Sequence, residues 1–406
     1  MACFIAVFRL GFGEECVSSR ASSPPDTQTD LFPMPSAPIR PSSLLAGSLL
    51  AVLATSAAVL ANDPLAPLSD EFDDAASLAG WMRIHATEGW NADQLQLLDV
   101  DATVPGALVM RPWTSTWFQN WRGELTYKLV TGNFAFTIDV TASGADGVGL
   151  PEAAFSLGGA MIRTPRPIST PAQWMPGGEN YVFLSVGQAL SNGPCLPGPG
   201  AHLEVKTTTN SVSDLCIEPT PIASAEIQIA RIGSAVICLY RTPGGAWEVH
   251  RRYTRADMPA TLQVGLVSYT DWFKASTYAP FFHNGHVLNA ALVPNPTSNP
   301  AQPFFPDVQA TFGYARFASV SVPPELAGVD LVTQASDAQL LAFLGANANP
   351  EPGRDPVPAD LNGDGSVDAA DLALLLGSWG TSGNDLTGDG TVDASDLAIL
   401  LGAWGG

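Results

Sequence analysis

Two twelve-residue segments near the C-terminus have residue types and spacing that suit a metal ion held by oxygen. Segments 360–371 and 385–396 read DLNGDGSVDAAD and DLTGDGTVDASD, and the windows 360–380 and 385–405 are identical at 16 of 21 positions. Calcium takes six to eight hard oxygen ligands, and EF-hand-like loops supply them from positions 1, 3, 5, 7, 9 and 12, with glycine at position 6. The expected ligands, through the backbone carbonyl at position 7, are Asp360, Asn362, Asp364, Ser366, Asp368 and Asp371 in the first loop and Asp385, Thr387, Asp389, Thr391, Asp393 and Asp396 in the second.

Both loops depart from the usual pattern at single positions. Thr387 replaces the usual Asp or Asn at position 3, and a hydroxyl is a weaker ligand than a carboxamide, so the second site is expected to be looser. Asp371 and Asp396 stand at position 12, where the longer Glu is usual. The alternative interpretation is a pair of solvated turns rich in Asp and Gly. A duplicated six-ligand pattern is hard to reach by chance, so the sequence predicts two bound calcium ions.

Each loop leads directly into an apolar stretch, LALLLGSWG after the first and LAILLGAWG after the second. This duplicated loop-and-helix unit, between Val357 and Gly406, resembles the type I dockerin module, in which Asp at position 12 is usual. The resemblance implies calcium-dependent folding and docking onto a cohesin module of a scaffold or cell-surface protein. Loop positions 10 and 11, which often decide the partner in dockerins, hold Ala369, Ala370, Ala394 and Ser395.

The composition excludes some classes of partner. The chain has 406 residues, of which 14% are charged, and its formal net charge is −21. Phosphate binding needs a basic face, so this acidity argues against nucleic acid as a partner. The 38 Gly and 34 Pro residues, combined with few charges, suit a turn-rich β protein of an extracellular kind.

Residues 44–60 form an apolar stretch that follows Arg40 and is interrupted by small and polar residues. The pattern predicts a secretory signal peptide cleaved after Ala61, and therefore a secreted or cell-surface-associated chain that spans no membrane after cleavage. The true start is expected at Met34, with a genuine leader or a retained anchor as the alternative. In an oxidising compartment Cys195 and Cys216 either form a disulfide or stay free thiols, and Cys238 is expected in the core.

Between residues 69 and 322, short β runs alternate with turn residues. In NFAFTIDVT, residues 133–141, the apolar side chains recur at every second position and should face one way. Many such strands, without a helical period between them, predict a mainly β fold, an antiparallel jelly-roll β-sandwich over residues 62–330. A short helix in 336–346 and a Pro-rich spacer then form a 331–359 linker to the calcium module at 360–406.

The order of these strands resembles the concanavalin A-like lectin/glucanase superfamily. The segments that carry the resemblance are DEFDD, GNFAFTIDV, GGAMIR, ENYVFLSV, AEIQIARIGSAVICLYRTPGGAWE and YARFASVSV. That superfamily contains glycan-binding modules, laminin-G-like modules and glycosidases, so the resemblance implies a fold more than an activity. The E-x-D-x-x-E strand motif of its laminarinase-type enzymes is absent from this sequence.

The segment RPWTSTWFQNW places Trp113, Trp117 and Trp121 beside polar side chains. Flat aromatic rings stack on the apolar faces of sugars, and polar neighbours orient the hydroxyl groups, so the segment predicts polysaccharide binding. The alternative is that these rings are core residues at a strand edge, because large aromatic side chains are usually buried.

Hydrolysis of a glycosidic bond generally needs two carboxylates on either side of that bond. No spacing in the sequence pairs the candidates, the HNGH segment at 283–286 is expected to be a loop, and DEFDD offers carboxylates for a structural calcium. The sequence therefore favours a secreted polysaccharide-binding protein tethered by a calcium module, acting in polysaccharide breakdown or adhesion. The alternatives are a glycoside hydrolase or polysaccharide lyase with the same module, and a structural surface protein. The unpaired candidate acids are Glu124, Asp139, Glu204, Glu226 and Glu248.

Overall fold

The computed structural model describes residues 63–189, 200–289 and 306–345, and in the C-terminal segment residues 359, 361, 367, 369–381, 384, 386–387 and 391–404. The predicted signal peptide, Cys195 and most of the Pro-rich spacer lie outside these ranges. Within the described ranges, no helix has the length and apolarity required to cross a membrane.

The described residues form fourteen strands, six α-helices and four short 3-10 helices. The strands are β1 (Met82–Arg83), β2 (Leu95–Val100), β3 (Leu108–Pro112), β4 (Glu124–Thr131), β5 (Phe134–Gly144), β6 (Ser156–Arg163), β7 (Tyr181–Gln188), β8 (His202–Thr209), β9 (Val212–Pro219), β10 (Ser224–Ile232), β11 (Ala235–Arg241), β12 (Glu248–Thr254), β13 (Thr261–Tyr269) and β14 (Val308–Ser319). The helices are α1 (Ile84–Thr87), α2 (Trp272–Ala275), α3 (Pro280–Asn284), α4 (Asp337–Leu344), α5 (Ala369–Gly377) and α6 (Ala394–Gly402). The 3-10 helices are Ala66–Leu68, Ala75–Gly80, Pro171–Gln173 and Pro324–Leu326.

The strands form two sheets of seven strands each. Sheet A has the order β12-β11-β10-β5-β14-β3-β2, and sheet B has the order β1-β4-β13-β6-β7-β8-β9. Neighbouring strands pair antiparallel in both sheets. The prediction of a mainly β, antiparallel sandwich is therefore confirmed.

The main core lies between the two sheets. On β5 the four apolar side chains at alternate positions are all buried in this core, as the period of two predicts; they are Phe134, Phe136, Ile138 and Val140. Sheet B contributes side chains such as Val264 and Leu266 from β13 to the same core. The outer faces of the two sheets are therefore the surfaces that remain for function.

Each outer face is partly covered by other segments. Helix α4 begins after Ser336, whose hydroxyl accepts a hydrogen bond from the Gln339 N–H, so the predicted short helix is present. Its Leu340 packs with Ile237 and Leu239 on the outer face of sheet A, which means that the helix lies on the sandwich. Segments 113–122 and 271–288 cover the outer face of sheet B.

The C-terminal module has a small apolar core of its own. Helices α5 and α6 contribute Leu375 and Leu400, and the loop residues Val367 and Val392 pack against them. Backbone hydrogen bonds of 2.8–2.9 Å join Val392 to Gly380 and Thr381. The two helices predicted after the loops are therefore present, and they form one unit.

Candidate functional site

Seven aromatic side chains lie over the outer face of sheet B, and we call them the aromatic layer. Trp272 joins two of them, with ring centroids 4.9 Å from Phe118 and 5.7 Å from Trp121. Phe281 joins two others, 5.6 Å from Trp90 and 5.7 Å from Trp174. The contacts are tilted or edge-to-face, the arrangement that aromatic pairs prefer. The layer consists of Trp90, Trp117, Phe118, Trp121, Trp174, Trp272 and Phe281.

The structure corrects the prediction for Trp117. Its side chain is 0% exposed, its Nε1 donates to the Glu124 carbonyl at 3.1 Å, and its ring lies 5.4 Å from the Tyr181 ring. A ring enclosed in this way cannot stack on a sugar, so Trp117 is a core residue of the layer. The cause is a tight turn at Gln119 (φ 50°), where Phe118 and Trp121 exchange backbone hydrogen bonds and the chain reverses.

The other two predicted rings are half-buried and have different surroundings. Trp121 belongs to the aromatic layer, and its Nε1 donates to the Tyr278 carbonyl at 2.9 Å, which fixes the orientation of the ring. Trp113 makes none of the ring contacts of the layer, and its backbone N–H donates to the Gln94 carbonyl. The structure therefore does not gather the three predicted tryptophans on one face.

Three partly exposed rings of the layer were missed by the sequence reasoning. Trp174 and Trp272 are half-buried, and Phe281 is 50% exposed. They come from connections that are more than 50 residues away from segment 113–121 in the chain. Only the pairing of the strands that flank these connections brings them together, so no local pattern indicates them.

A buried ionic network, formed by Arg122, Arg163, Glu88 and Glu179, lies beneath the aromatic layer. Arg163 donates from Nε to Glu179 and from Nη2 to Glu88, both at 2.8 Å. Burial opposes the charge of Arg163, but the two carboxylates outweigh this effect and raise its pKa. Burial also favours neutral Glu179, but Arg163 outweighs it and lowers the pKa of Glu179. The aromatic layer therefore lies over a buried network in which two arginines balance two glutamates.

One cluster of side chains has the composition of a metal site. Ligand atoms of His85, Asp93 and Glu124 lie within 4.8 Å of one another. The guanidinium of Arg83, however, bonds to Asp93 at 2.5 Å and to Glu124 at 2.9 Å, so the carboxylates already have a cation. The ion pairs account for this cluster without a metal.

The structure corrects the prediction of a loop for the HNGH segment, because His283 and Asn284 end helix α3 and only Gly285 and His286 follow it. His283 is buried, its Nε2 accepts from the Thr116 N–H at 3.2 Å, and its Nδ1 lies 3.0 Å from Asn284 Oδ1. Burial lowers the pKa of His283 to about 4, so the ring is neutral near pH 7. Exposed His286 stacks on Phe282 instead of approaching His283.

The candidate acids of the sequence occupy different surroundings. Glu204 is buried and pairs with Lys206 at 2.8 Å. Asp139 and Glu226, by contrast, lie directly opposite each other on β5 and β10. In DEFDD, the acids bond to separate partners: Asp70 to Trp81, Glu71 to Arg316 and Asp74 to the Ala76 N–H. A shared cation among them is not supported by this arrangement.

The described part of the C-terminal module includes five of the twelve predicted calcium ligands. At position 12 of the loops, Asp371 accepts from the Leu361 N–H at 2.8 Å, and Asp396 accepts from the Leu386 N–H at 2.8 Å. Backbone N–H groups, that of Asp393 foremost, lower the pKa of Asp396 to about 2. Described with them are Thr387, Thr391 and Asp393; outside the described residues lie Asp360, Asn362, Asp364, Ser366, Asp368, Asp385 and Asp389.

The cysteines agree in part with the sequence reasoning. Cys216 is disulfide-bonded, and Cys238 is a free thiol buried in the main core. Because Cys238 is the other described cysteine and is free, the partner of Cys216 lies outside the described residues. Its pairing with Cys195 stays a prediction.

Comparisons with known proteins return only distant structural neighbours. No protein-family model matches the chain, and no curated protein matches it. A functionally unknown protein from Saccharomyces cerevisiae is 12% identical, with a TM-score of 0.37, over 60% of this chain and 99% of that one. A xylan beta-1,4-xylosidase from Bacillus halodurans C-125 is 15% identical, with a TM-score of 0.38, over 64% of this chain and 40% of that one. Winged bean acidic lectin is 13% identical, with a TM-score of 0.32, over 60% of this chain and 99% of that one. At these values the neighbours carry no argument about activity.

Proposed function

We propose that the chain is a secreted polysaccharide-binding protein. In this proposal a sandwich of the concanavalin A-like, jelly-roll kind binds glycan on the aromatic layer. A dockerin-like module with two calcium ions attaches the chain to a cohesin or another scaffold protein at the cell surface. The observation that carries the proposal is the presence of two groups of partly exposed rings in the layer, Trp121 with Trp272 and Trp174 with Phe281.

The aromatic layer has the properties that sugar binding requires. Rings that are held in place lose little conformational entropy when a ligand stacks on them. Trp121 is held by its hydrogen bond to Tyr278 and by its contact with Trp272. Polar groups lie beside the rings: Arg166, whose guanidinium carbon is 5.8 Å from the Trp174 ring, and Asn120, whose side chain accepts from the Gly177 N–H. Such groups can orient sugar hydroxyls while the rings supply apolar contact.

The residues of the C-terminal module fit calcium. The donor set consists of hard oxygens, and the buried carboxylates of Asp371 and Asp396 occupy equivalent places in the two repeats. Backbone N–H groups hold both carboxylates at the start of their helices, which leaves little freedom for them to rearrange. Calcium there would supply the charge that neutralises the acidic loops and would join each loop to its helix.

Substitutions within the aromatic layer test the sugar-binding proposal. Trp121→Ala should weaken binding to insoluble xylan or β-glucan by roughly 1–3 kcal/mol, the range for stacking on an aromatic ring, and should lower the melting temperature less than the loss of the fully buried Trp117 ring does. Trp117→Ala should instead lower the free energy of unfolding by about 3–5 kcal/mol, because it empties a buried site. Polysaccharide pull-down and thermal melting of the same variants separate the two effects.

Leu129→Ala is the control, since it removes an apolar side chain that is 48% exposed and lies outside the layer. It should change neither binding nor melting. Binding by Trp121→Ala that equals the unmodified chain on every polysaccharide would contradict the proposed surface.

A further inference from the structure

A row of charged side chains crosses the outer face of sheet A, away from the aromatic layer. Asp139 on β5 lies directly opposite Glu226 on β10, and Tyr314 on β14 lies opposite Asp139 on its other side. Arg241 on β11 continues the row beyond Glu226. Like charges directly opposite each other destabilise an antiparallel pair of strands, so the pair of carboxylates needs a physical reason.

The backbone is shaped to accommodate this pair. Phe312 pairs with Val140 and Tyr314 with Asp139, so Gly313 is the extra residue of a β-bulge. A Cβ atom at position 313 would lie 2.7 Å from Oδ2 of Asp139, so any residue other than glycine would force the Asp139 carboxyl group to move. The same bulge places Tyr314 on the outer face of the sheet beside the two acids.

Neighbouring side chains hold Glu226 in place. Arg241 donates from Nε to Glu226 at 2.6 Å, and the Tyr314 hydroxyl donates to its other oxygen at 2.5 Å. Arg316 fixes the tyrosine, because its guanidinium carbon lies 3.7 Å from the ring centroid and its nitrogens pair with Glu71. Glu226 is thus an oriented acceptor that remains 21% exposed.

Asp139 differs from Glu226 in its partners. Burial, and then the charge of Glu226, raise the pKa of Asp139 to about 6, against the opposing effect of Arg316 and Arg241. The carboxyl is therefore protonated in mildly acidic solution and can donate a hydrogen bond there. A carboxyl group whose pKa is raised by burial and by a neighbouring carboxylate is typical of functional sites.

A further polar atom next to the pair has no partner. Gln228 follows Glu226 on the same face of β10, is 1% exposed, and donates from Nε2 to Thr137 at 3.1 Å. Its Oε1 has no hydrogen-bond partner, although buried polar atoms nearly always have one. The row thus has a donor in Asp139 and an acceptor in Glu226, beside the buried and unused acceptor of Gln228.

We propose that this row is a binding site for neighbouring hydroxyl groups of a neutral sugar, to which protonated Asp139 donates and from which Glu226 accepts. An anionic ligand would be repelled by Glu226 and Glu71. A metal cation would compete with Arg241, which already occupies Glu226. A neutral polyol meets neither obstacle, and its hydroxyls both donate and accept. The site is separate from the aromatic layer and does not depend on it.

Binding at this site should weaken as the pH rises. If only protonated Asp139 binds, a pKa near 6 makes the dissociation constant about 30-fold larger at pH 7.5 than at pH 5. The groups that face Asp139 are Glu226 on β10, Tyr314 and Arg316 on β14, and Arg241 on β11. Burial raises the pKa of Tyr314, so the phenol keeps its proton throughout this range.

The experiment uses the full chain with Trp121→Ala, which removes a ring of the aromatic layer. Xylohexaose, cellohexaose and laminarihexaose are titrated by calorimetry at pH 5, 6 and 7.5. At least one should bind with the expected pH dependence. Asp139→Asn keeps a donor at every pH, so affinity should stay near its pH 5 value up to pH 7.5. Glu226→Gln should weaken binding tenfold or more, whereas exposed Glu248→Gln on β12 should change nothing.

A measurement on unsubstituted Asp139 guards against variants that fail to fold. Carbon NMR of its carboxyl group should show a pKa that rises when the hexasaccharide saturates the protein. Absence of hexasaccharide binding in the Trp121→Ala chain overturns the proposal, and so does a pKa that the bound sugar leaves unchanged. The aromatic-layer proposal is tested separately, by comparing polysaccharide binding of the chain with and without Trp121→Ala. Equal binding by the two chains would contradict that proposal alone.

Discussion

The sandwich and the C-terminal module differ in how their acidic residues are neutralised. In the sandwich, the buried carboxylates of Glu88 and Glu179 meet Arg163 inside the fold. In the module, the two loop segments 360–371 and 385–396 contain eight Asp residues, and no Lys or Arg follows Arg354. The sandwich therefore carries its own counter-charges, whereas the module, in our proposal, takes its counter-charge from calcium.

This difference bears on how each region folds. The sandwich has a large core between two sheets, and its buried ion pairs are enclosed separately, beneath the aromatic layer on the outer face of sheet B. The described residues of the module include a core of five fully buried apolar side chains with half-buried neighbours. A core of this size contributes little free energy, and small domains commonly need a metal to fold. Removing the counter-charge should therefore unfold the module but only weaken the sandwich.

The largest expected effect is the response to calcium withdrawal. In full-length protein with calcium, amides of α5 and α6 should be protected from hydrogen exchange. With chelator this protection should be lost, because the acidic loops then repel one another. Amides of β5 and β13 are the internal control and should exchange at the same rate in both conditions. Equal protection of α5 and α6 with and without calcium would contradict the calcium proposal.

In the sandwich, the substitution that corresponds to calcium removal is Arg163→Ala, because it removes a buried counter-charge. It removes the arginine that bonds to both Glu88 and Glu179 and leaves them with Arg122 at 3.8 Å and Arg166 at 2.9 Å, respectively. Removal of one partner of a buried pair costs about 3–5 kcal/mol of unfolding free energy. Denaturant titration measures this quantity. The matched control is Arg252→Ala, which breaks a pair with the exposed Asp337 and should cost about 1 kcal/mol or less. Comparable losses in the two variants would show that the ionic network does not support the fold.

Strands that are alternating or apolar in sequence could be predicted, whereas charged or exposed strands could not. β5 alternates and was predicted with its inward residues. β4 was missed because it is buried on both faces and includes the charged Glu124 and Lys128. β9 was missed as an edge strand with few buried residues. β6 and β7 are also buried on both faces but were predicted from their apolar runs, so the charged residues of β4 and the exposure of β9 are what hid those two strands.

The candidate sites follow the same division between local and long-range information. Each proposed calcium loop is one continuous segment, so the spacing of its ligands can be recognised in the sequence. Asp139 and Glu226 are brought together by the register of β5 and β10, which no local pattern encodes. Trp117 and Trp121 have similar neighbours in sequence, but the turn at Gln119 sends only Trp121 toward the surface. Strand register and turn geometry are properties of the folded chain. Register brings Asp139 to Glu226, and turn geometry separates Trp117 from Trp121, so neither result could be predicted from the sequence.

The smallest expected effect distinguishes the two loops of the module. Thr387→Asp restores a carboxylate at position 3 of the second loop, and it should tighten calcium binding at that site by about tenfold. Without calcium the added charge should reduce the residual helix content, because it increases repulsion among the acids. Asn362→Asp is the control, since the first loop already has a good oxygen ligand there and should gain less. Calcium titration followed by circular dichroism of a 355–406 fragment measures both effects. A Thr387→Asp change that stabilises the fragment equally with and without calcium would show that position 387 acts through the helix and not through the ion.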